Sequence, residues 1–355
     1  MFLECSRTTS IRRKRSPRRS TIYPRYNFLP PTSRAICAAF LCAITGAAGN
    51  LGSLLSRHLL ANSQHDLRLL IHNREVPPDL REQARAPSFR CDLANPESFS
   101  PALAGADCVV HFAGVLFQAN PERFLPITNT QYFTNLLETA IANKVRRIIL
   151  ISFPHVEGES TPEKPATGKL DGAPSSAHAR TRLEEEKLLF EAGQRDGLEA
   201  VSLRVGMVYG RGILMIDAAR WLAQRHLFGV WKNPTWIHLI STDDFLAATA
   251  VAATNHGIQG IYHLGDEGRQ TLQEFLDLAC SVWNTRRPWR LPLGVIYFAA
   301  QICEWASQLL HTRSALTRDF ITIGRCSYYG DTHRMRTELL PKLKHPTLKD
   351  GLHTL

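Results

Sequence analysis

Ala43-Ile44-Thr45-Gly46-Ala47-Ala48-Gly49-Asn50-Leu51-Gly52 decides how the rest of the chain is read. An apolar run, Ala38 to Ile44, leads into it, and Leu51, Leu54, Leu55, His58 and Leu59 follow at helical spacing. The pattern predicts a buried strand, a glycine-rich turn and the first turn of a helix. Its spacing is T-G-x-x-G-x-x-G. A turn without side chains lets backbone approach a dinucleotide pyrophosphate, and the helix start offers it free N–H groups and the positive end of its dipole. On this reading Gly46, Gly49 and Gly52 cradle the pyrophosphate beside Thr45, and Ala48, Gly49, Asn50 and Leu51 supply N–H donors. An ordinary strand-to-helix turn has the same outline; the flanking strand and helix patterns favour the dinucleotide.

Outward from this turn, apolar strands alternate with amphipathic helices. Strands are expected near 37–45, 67–72, 88–91, 107–112, 146–151 and 198–204, and helices near 50–62, 96–103, 121–142 and 177–194. Such alternation builds an α/β fold with a doubly wound parallel sheet of Rossmann type, its ligand at the carboxyl edge. After about residue 205 the alternation becomes irregular. The chain thus divides into a basic extension (1–34), a dinucleotide-binding domain (35–204) and a smaller C-terminal substrate-binding region (205–355).

The net charge of +10 over 355 residues belongs mostly to one end. Residues 1–34 carry nine basic residues against Glu4 alone, so they account for +8 of it. They fit a transit peptide, a basic arm or a segment preceding the natural start, with a dispensable tail favoured. The remainder is nearly neutral, so its folded body is not expected to bind nucleic acid. No C-x-x-C pair occurs among the eight cysteines, and no metal site is expected. A reducing, cytoplasmic setting follows, or an organelle if 1–34 direct the chain there. Leu293 to Ala306 is unusually apolar; it suits packing against the sheet or a partner subunit, a homodimer included. Peripheral membrane contact is the alternative, although the segment is too short to span a bilayer and lacks a strongly cationic polar face. Glu184-Glu185-Glu186-Lys187 reads as a solvated charged helix face.

Several motifs occur in the order found in extended short-chain dehydrogenase/reductases. Besides Thr45 to Gly52, Cys91-Asp92-Leu93 before Pro96 is similar to that family's D-L-x-x-P element, and Val109 to Gly114 to its V-V-H-x-A-A strand end. Asn129, ahead of Asn135-Leu136-Leu137-Glu138, matches its helix with a central Asn. Leu203-Arg204-Val205-Gly206-Met207-Val208-Tyr209-Gly210 resembles L-R-P-G-x-V-Y-G. From about residue 38 onward the chain resembles this epimerase/dehydratase group, which implies an NAD(P)-dependent oxidoreductase, epimerase or dehydratase acting on a small hydroxyl- or keto-bearing substrate such as a nucleotide sugar or sterol. The resemblance implies that Asp92, with Leu93, lies at the adenine and that Ala113 and Gly114 line the dinucleotide. Strand two ends in Leu70-Ile71-His72-Asn73-Arg74, without the acidic residue typical of NAD enzymes. Arg74 suits a 2′-phosphate, so NADP(H) is favoured over NAD(H).

The catalytic pattern departs from the resemblance. The family uses Ser, Tyr and a Lys four residues after the Tyr. Here His178 stands in the Tyr place and Arg182 in the Lys place, while Phe153 occupies the usual Ser place with Ser152 one residue early. Imidazole titrates near pH 6.5 without assistance, so His178 is a chemically sensible proton-transfer residue. Arg182 would anchor the nicotinamide ribose and favour a neutral His178, and Ser152 would contact substrate. The alternative is a non-catalytic NADP(H)-binding sensor, regulatory subunit or assembly factor.

Overall fold

Leu41–Thr45 (β1) is buried from Cys42 onward and lies at the centre of the sheet. The computed structural model describes residues 40–115, 119–310, 312, 314 and 316–355; the expectations for residues 1–34 fall outside them. Around β1 stand Asp66–Ile71 (β2), Ser88–Arg90 (β3), Cys108–His111 (β4), Arg147–Ser152 (β5), Glu199–Val205 (β6) and Gly260–Leu264 (β7). All pair in parallel, in the spatial order β7-β6-β5-β4-β1-β2-β3. The order reverses between β1 and β4, which places the ligand crevice where the glycine turn leaves β1.

The period-2 geometry of a strand explains the continuous apolar runs. Cys42 and Ile44 face one core, and Ala43 faces the other. In β4 Cys108 and Val110 join the first core and Val109 the second; in β5 Ile149 opposes Ile148 and Leu150. Both sheet faces are therefore covered, as parallel sheets require. Asn50–Asn62 (α1) follows the glycine turn, and Tyr132–Ala142 (α2), Ala177–Asp196 (α3) and Thr242–Thr254 (α4) supply further cover.

The boundary expected at residue 204 does not coincide with the edge of the sheet, because β7 comes from beyond it and pairs with β6 along Gly260–Leu264. The remaining strands form three small pairs: Met207–Tyr209 with Leu239–Ser241, Gly229–Trp231 with Trp289–Leu291, and Trp236–Ile237 with Gln270–Thr271. The helices of the C-terminal part include Leu293–Leu309 (α5) and Arg318–Arg325 (α6). No helix among the described residues is long and apolar enough to cross a membrane.

His238 fastens this part together. Its ring stacks on Tyr329 with centroids 3.8 Å apart and planes within 10°. Nε2–H donates to the Asp266 carbonyl at 2.8 Å, and Nδ1 accepts from the Gly330 N–H at 3.1 Å. That pair of bonds requires a neutral imidazole. Burial, with a smaller push from His263, lowers its pKa to about 4. The folded state thus binds fewer protons than the unfolded chain between pH about 4 and about 6.5, and stability declines as pH falls through that window. The effect is on the order of 3 kcal/mol. His238→Gln removes it; the check is the slope of denaturation free energy against pH, and an unchanged slope overturns the assignment.

Candidate functional site

Gly46 turns the chain with φ of +68°, in the left-handed region glycine tolerates. Gly49 N–H then donates to the Gly46 carbonyl at 2.8 Å. A Cβ on Gly52 would stand 2.5 Å from that carbonyl oxygen, and one on Gly49 would stand 2.9 Å from it. A Cβ on Gly46 would meet the Ala113 nitrogen at 3.0 Å. All three glycines are thus demanded by contact with backbone. Helix α1 opens at Asn50 with Gly49 as its cap, no side-chain cap and no acidic residue in its first turn. Its first N–H groups are left for a ligand, and an anion there meets no competing carboxylate. These features fit a dinucleotide pyrophosphate. Of the expected N–H donors, that of Gly49 is already spent on the Gly46 carbonyl, because the tight turn folds it back; the Asn50 side chain is engaged too, Nδ2 donating to the Gly212 carbonyl at 2.5 Å and Oδ1 accepting from Leu214 N–H at 3.0 Å.

Thr45 is buried and joins two strand ends. Its Oγ1 lies 2.8 Å from His111 Nδ1 and accepts from Ala113 N–H at 3.3 Å. Burial, followed by the charge of Arg182, lowers His111 to about 3, so the ring stays neutral. At the β2 end Arg74 is exposed, with no hydrogen-bond or ion-pair partner among the described residues. Its neighbour Glu75 is engaged by Arg90. Asp92 is exposed and its Oδ1 accepts from Ala94 N–H at 3.0 Å, while the Leu93 carbonyl accepts from Asn135 at 2.8 Å. These bonds shape the turn after β3.

Ser176 caps α3, accepting from Ala179 N–H at 3.1 Å. His178, Arg182, Glu185, Glu186 and Leu189 follow at helical spacing on its inner face. The reading of 184–187 as a solvated face is thereby corrected. Glu184 and Lys187 do form an exposed pair, but Glu185 and Glu186 are fully buried, because the 3.6-residue period turns them toward the sheet. Glu186 pairs with the buried Arg204 of β6 at 2.6 Å and accepts from Ser202 at 2.8 Å. Arg204 also engages Glu157 and donates to the Lys169 carbonyl at 2.7 Å. Burial would raise Glu157, but the bond from His263, the charge of Arg204 and the Gly168 and Thr167 amides outweigh it and hold its pKa at about 2.

His178 is held at both ring nitrogens. Nδ1 lies 2.7 Å from Asp319 Oδ2 and Nε2 lies 2.8 Å from the Val115 carbonyl. Asp319 Oδ1 also accepts from Ala177 N–H at 3.1 Å. A carboxylate and a carbonyl are both acceptors, so both contacts are satisfied together only when the ring carries two protons. The expectation of a neutral His178 tuned by Arg182 omitted Asp319, which sits 141 residues away in sequence. Its local sign is modest: Thr317-Arg318-Asp319 reads as a helix start, and Thr317 indeed caps α6.

Arg182 bonds Glu185 at 2.5 Å. One of its terminal nitrogens lies 3.4 Å from where a Cβ on Gly114 would stand. Burial pushes Glu185 up to about 7; Arg182 opposes the rise, and the charge of Glu186 adds to it. Ser152 is buried at the end of β5, and no hydrogen bond joins it to His178. Among the described residues, Ser152 Oγ, Asn129 Oδ1, Thr128 Oγ1, Arg182 Nε and Glu185 Oε1 lack hydrogen-bond partners. The structure therefore brings the 113–115 turn together with His178 and Arg182, leaves Ser152 unpaired, and adds Asp319 and Glu185.

A family model described as "NAD dependent epimerase/dehydratase family" matches residues 42–265. The chain belongs to that family. A uronate dehydrogenase of Pseudomonas syringae is 30% identical over 168 residues, covering 46% of this chain and 58% of the relative. The match thus spans under two thirds of that relative's length. Among solved structures, a Thermotoga maritima UDP-glucose 4-epimerase with UDP-glucose superposes with TM-score 0.69 at 17% identity, over 88% of this chain and 96% of that one. A Bacillus cereus UDP-glucuronic acid 4-epimerase in complex with NAD gives 0.67 at 19%, over 89% and 97%. These two likenesses bear on the Rossmann-type fold alone. Gly46→Val should lower dinucleotide affinity by about 100-fold, because its side chain enters the Ala113 backbone in a strained conformation. Fluorescence titration checks this; a variant that melts normally and binds as before refutes the role of the turn.

Proposed function

We propose that this chain is an NAD(P)-dependent oxidoreductase or epimerase acting on a hydroxyl or carbonyl carbon of a sugar or sugar nucleotide, with NADP(H) preferred. The observation that carries the proposal is the His178–Asp319 pair beside the turn that continues β4. Held by the glycine turn and the Arg182 wall, NAD(P) would supply hydride chemistry at the substrate carbon. His178 would exchange a proton with the substrate oxygen, which would replace the Val115 carbonyl as the partner of Nε2. Asp319 fixes the ring and compensates the imidazolium. Arg182 and the Gly114 backbone form the wall toward the nicotinamide ribose, and Ser152 Oγ offers a free hydroxyl for substrate. Gly46, Gly49 and Gly52 hold the pyrophosphate. Leu93 and Asp92 border the adenine, and Arg74, exposed and uncommitted, receives the 2′-phosphate. The sugar class rests on the uronate dehydrogenase relative, the preference for NADP(H) on Arg74.

One observation favours a second reading, a dinucleotide-binding protein without turnover. Both nitrogens of His178 already have protein partners, as in a structural histidine. The two readings separate in turnover assays with uronates and UDP-hexoses. His178→Gln should cut turnover by about 100-fold or more while leaving dinucleotide affinity unchanged. Asp319→Asn should shift the pH profile of the activity that remains. Retained turnover in His178→Gln removes it as the proton carrier; wild-type binding without turnover on any substrate favours the second reading. Arg74→Ala should weaken NADPH by about 10-fold or more and NADH little. Equal losses reject the 2′-phosphate role.

A further inference from the structure

Arg182 and Glu185 stand one turn apart on α3, joined by the 2.5 Å bond from Arg182 Nη1 to Glu185 Oε2. Both side chains are withdrawn from water, 12% and 0% exposed. Among the described residues this is the only hydrogen bond that either side chain makes; Arg182 Nε and Glu185 Oε1 are left over, both buried. A guanidinium has five donors and keeps its charge when buried, so its position is set by whatever accepts from it. Here a single carboxylate does so.

The far side of the guanidinium shows where it is held. Its Nη2 lies 3.4 Å from where a Cβ on Gly114 would stand, so it rests against the turn that continues β4. The neutral His111 at the end of β4 reports the same placement, because the charge of Arg182 is the second cause, after burial, of its lowered pKa. Thr45, beside the glycine turn, bonds His111 and the Ala113 N–H. The guanidinium thus bridges Glu185 and the strand end that borders the glycine turn. An ion pair taken out of water gains little net stability, because desolvation offsets the attraction. Its effect here is on orientation: it leaves the long Arg182 side chain one position, toward Gly114.

We propose that Glu185 is a positioning residue of the dinucleotide site, its carboxylate holding the Arg182 guanidinium against the Gly114 turn where the nicotinamide ribose is received. This inference rests on the dinucleotide reading of the site.

The test is fluorescence titration of the full chain with NADH, for wild type, Glu185→Gln, Arg182→Met and the double variant. Glu185→Gln keeps the volume and removes the charge, so melting should be little changed while NADH affinity falls by about 10-fold. Arg182→Met should lose a similar factor, and adding Glu185→Gln to it should cost nothing more, because the two act as one unit. The mutation-free readout is the pH profile of wild-type affinity. Burial holds Glu185 at about 7, so it takes up a proton as pH falls through that value and releases Arg182. If the dinucleotide is bound with Glu185 ionised, affinity declines from pH 8 to pH 6. The profile of Glu185→Gln should be flatter. Among the groups packed around Glu185, Glu186 and Glu157 are tied to Arg204 and His178 to Asp319, and all of these are kept in the variant. His111 and His155, lowered by burial to about 3 and about 4, are neutral throughout, and Glu122, Arg123 and Glu138 on the neighbouring segments are exposed. NADH is the probe because a 2′-phosphate itself titrates near about 6. Unchanged affinity in Glu185→Gln, an equal loss on adding it to Arg182→Met, or the same pH profile in both proteins overturns the role of Glu185 and leaves the dinucleotide reading standing. A wild type that binds no dinucleotide overturns both.

Discussion

A fully buried guanidinium fixes the geometry on which the candidate site rests. Arg204 sits on β6, pairs with Glu186 of α3, and reaches Glu157 and the Lys169 carbonyl in the segment between β5 and α3. Removing these charges from water carries a desolvation cost, which only a complete set of partners offsets. The network therefore tolerates one arrangement of sheet, helix and connecting segment. Because α3 is rigid, locking Glu186 also sets the azimuth of Glu185, Arg182 and His178 along the same face.

The inner side of that face combines hydrogen bonds already made with polar atoms left over. His178 is fully engaged, whereas Arg182 Nε and Glu185 Oε1, next along the helix, and Ser152 Oγ on β5 have no partner among the described residues. Buried polar atoms without partners are costly, and they concentrate where a ligand or ordered water completes them. At Glu185, a buried acid beside a permanent cation, burial outweighs charge pairing.

Much of the architecture was legible because period-2 and period-3.6 patterns are local. The six expected strands all appear, and α1 spans Asn50–Asn62 where the glycine turn called for it. The region near 121–142 is more broken than expected: Pro121–Leu125 and a wide turn, Pro126–Gln131, precede α2. What escaped was long-range. Strand β7 lies within irregular sequence, and nothing local says that Gly260–Leu264 pairs with β6. Glu185 and Glu186 look like solvent-facing acids until Arg204, far along the chain, is placed beside them. Asp319 is legible only as a helix-start residue; its partnership with His178 depends on how α6 docks against the start of α3.

Asn50 joins two parts of the chain that lie 162 residues apart. It is the first residue of α1, and its amide grips the backbone on both sides of Ile213, at Gly212 and Leu214. The first turn of α1 is thus tied to the segment after Met207–Tyr209. Any movement of the first turn of α1 is therefore shared by residues 212–214, so the start of the helix and the loop after the Met207–Tyr209 strand shift as one unit.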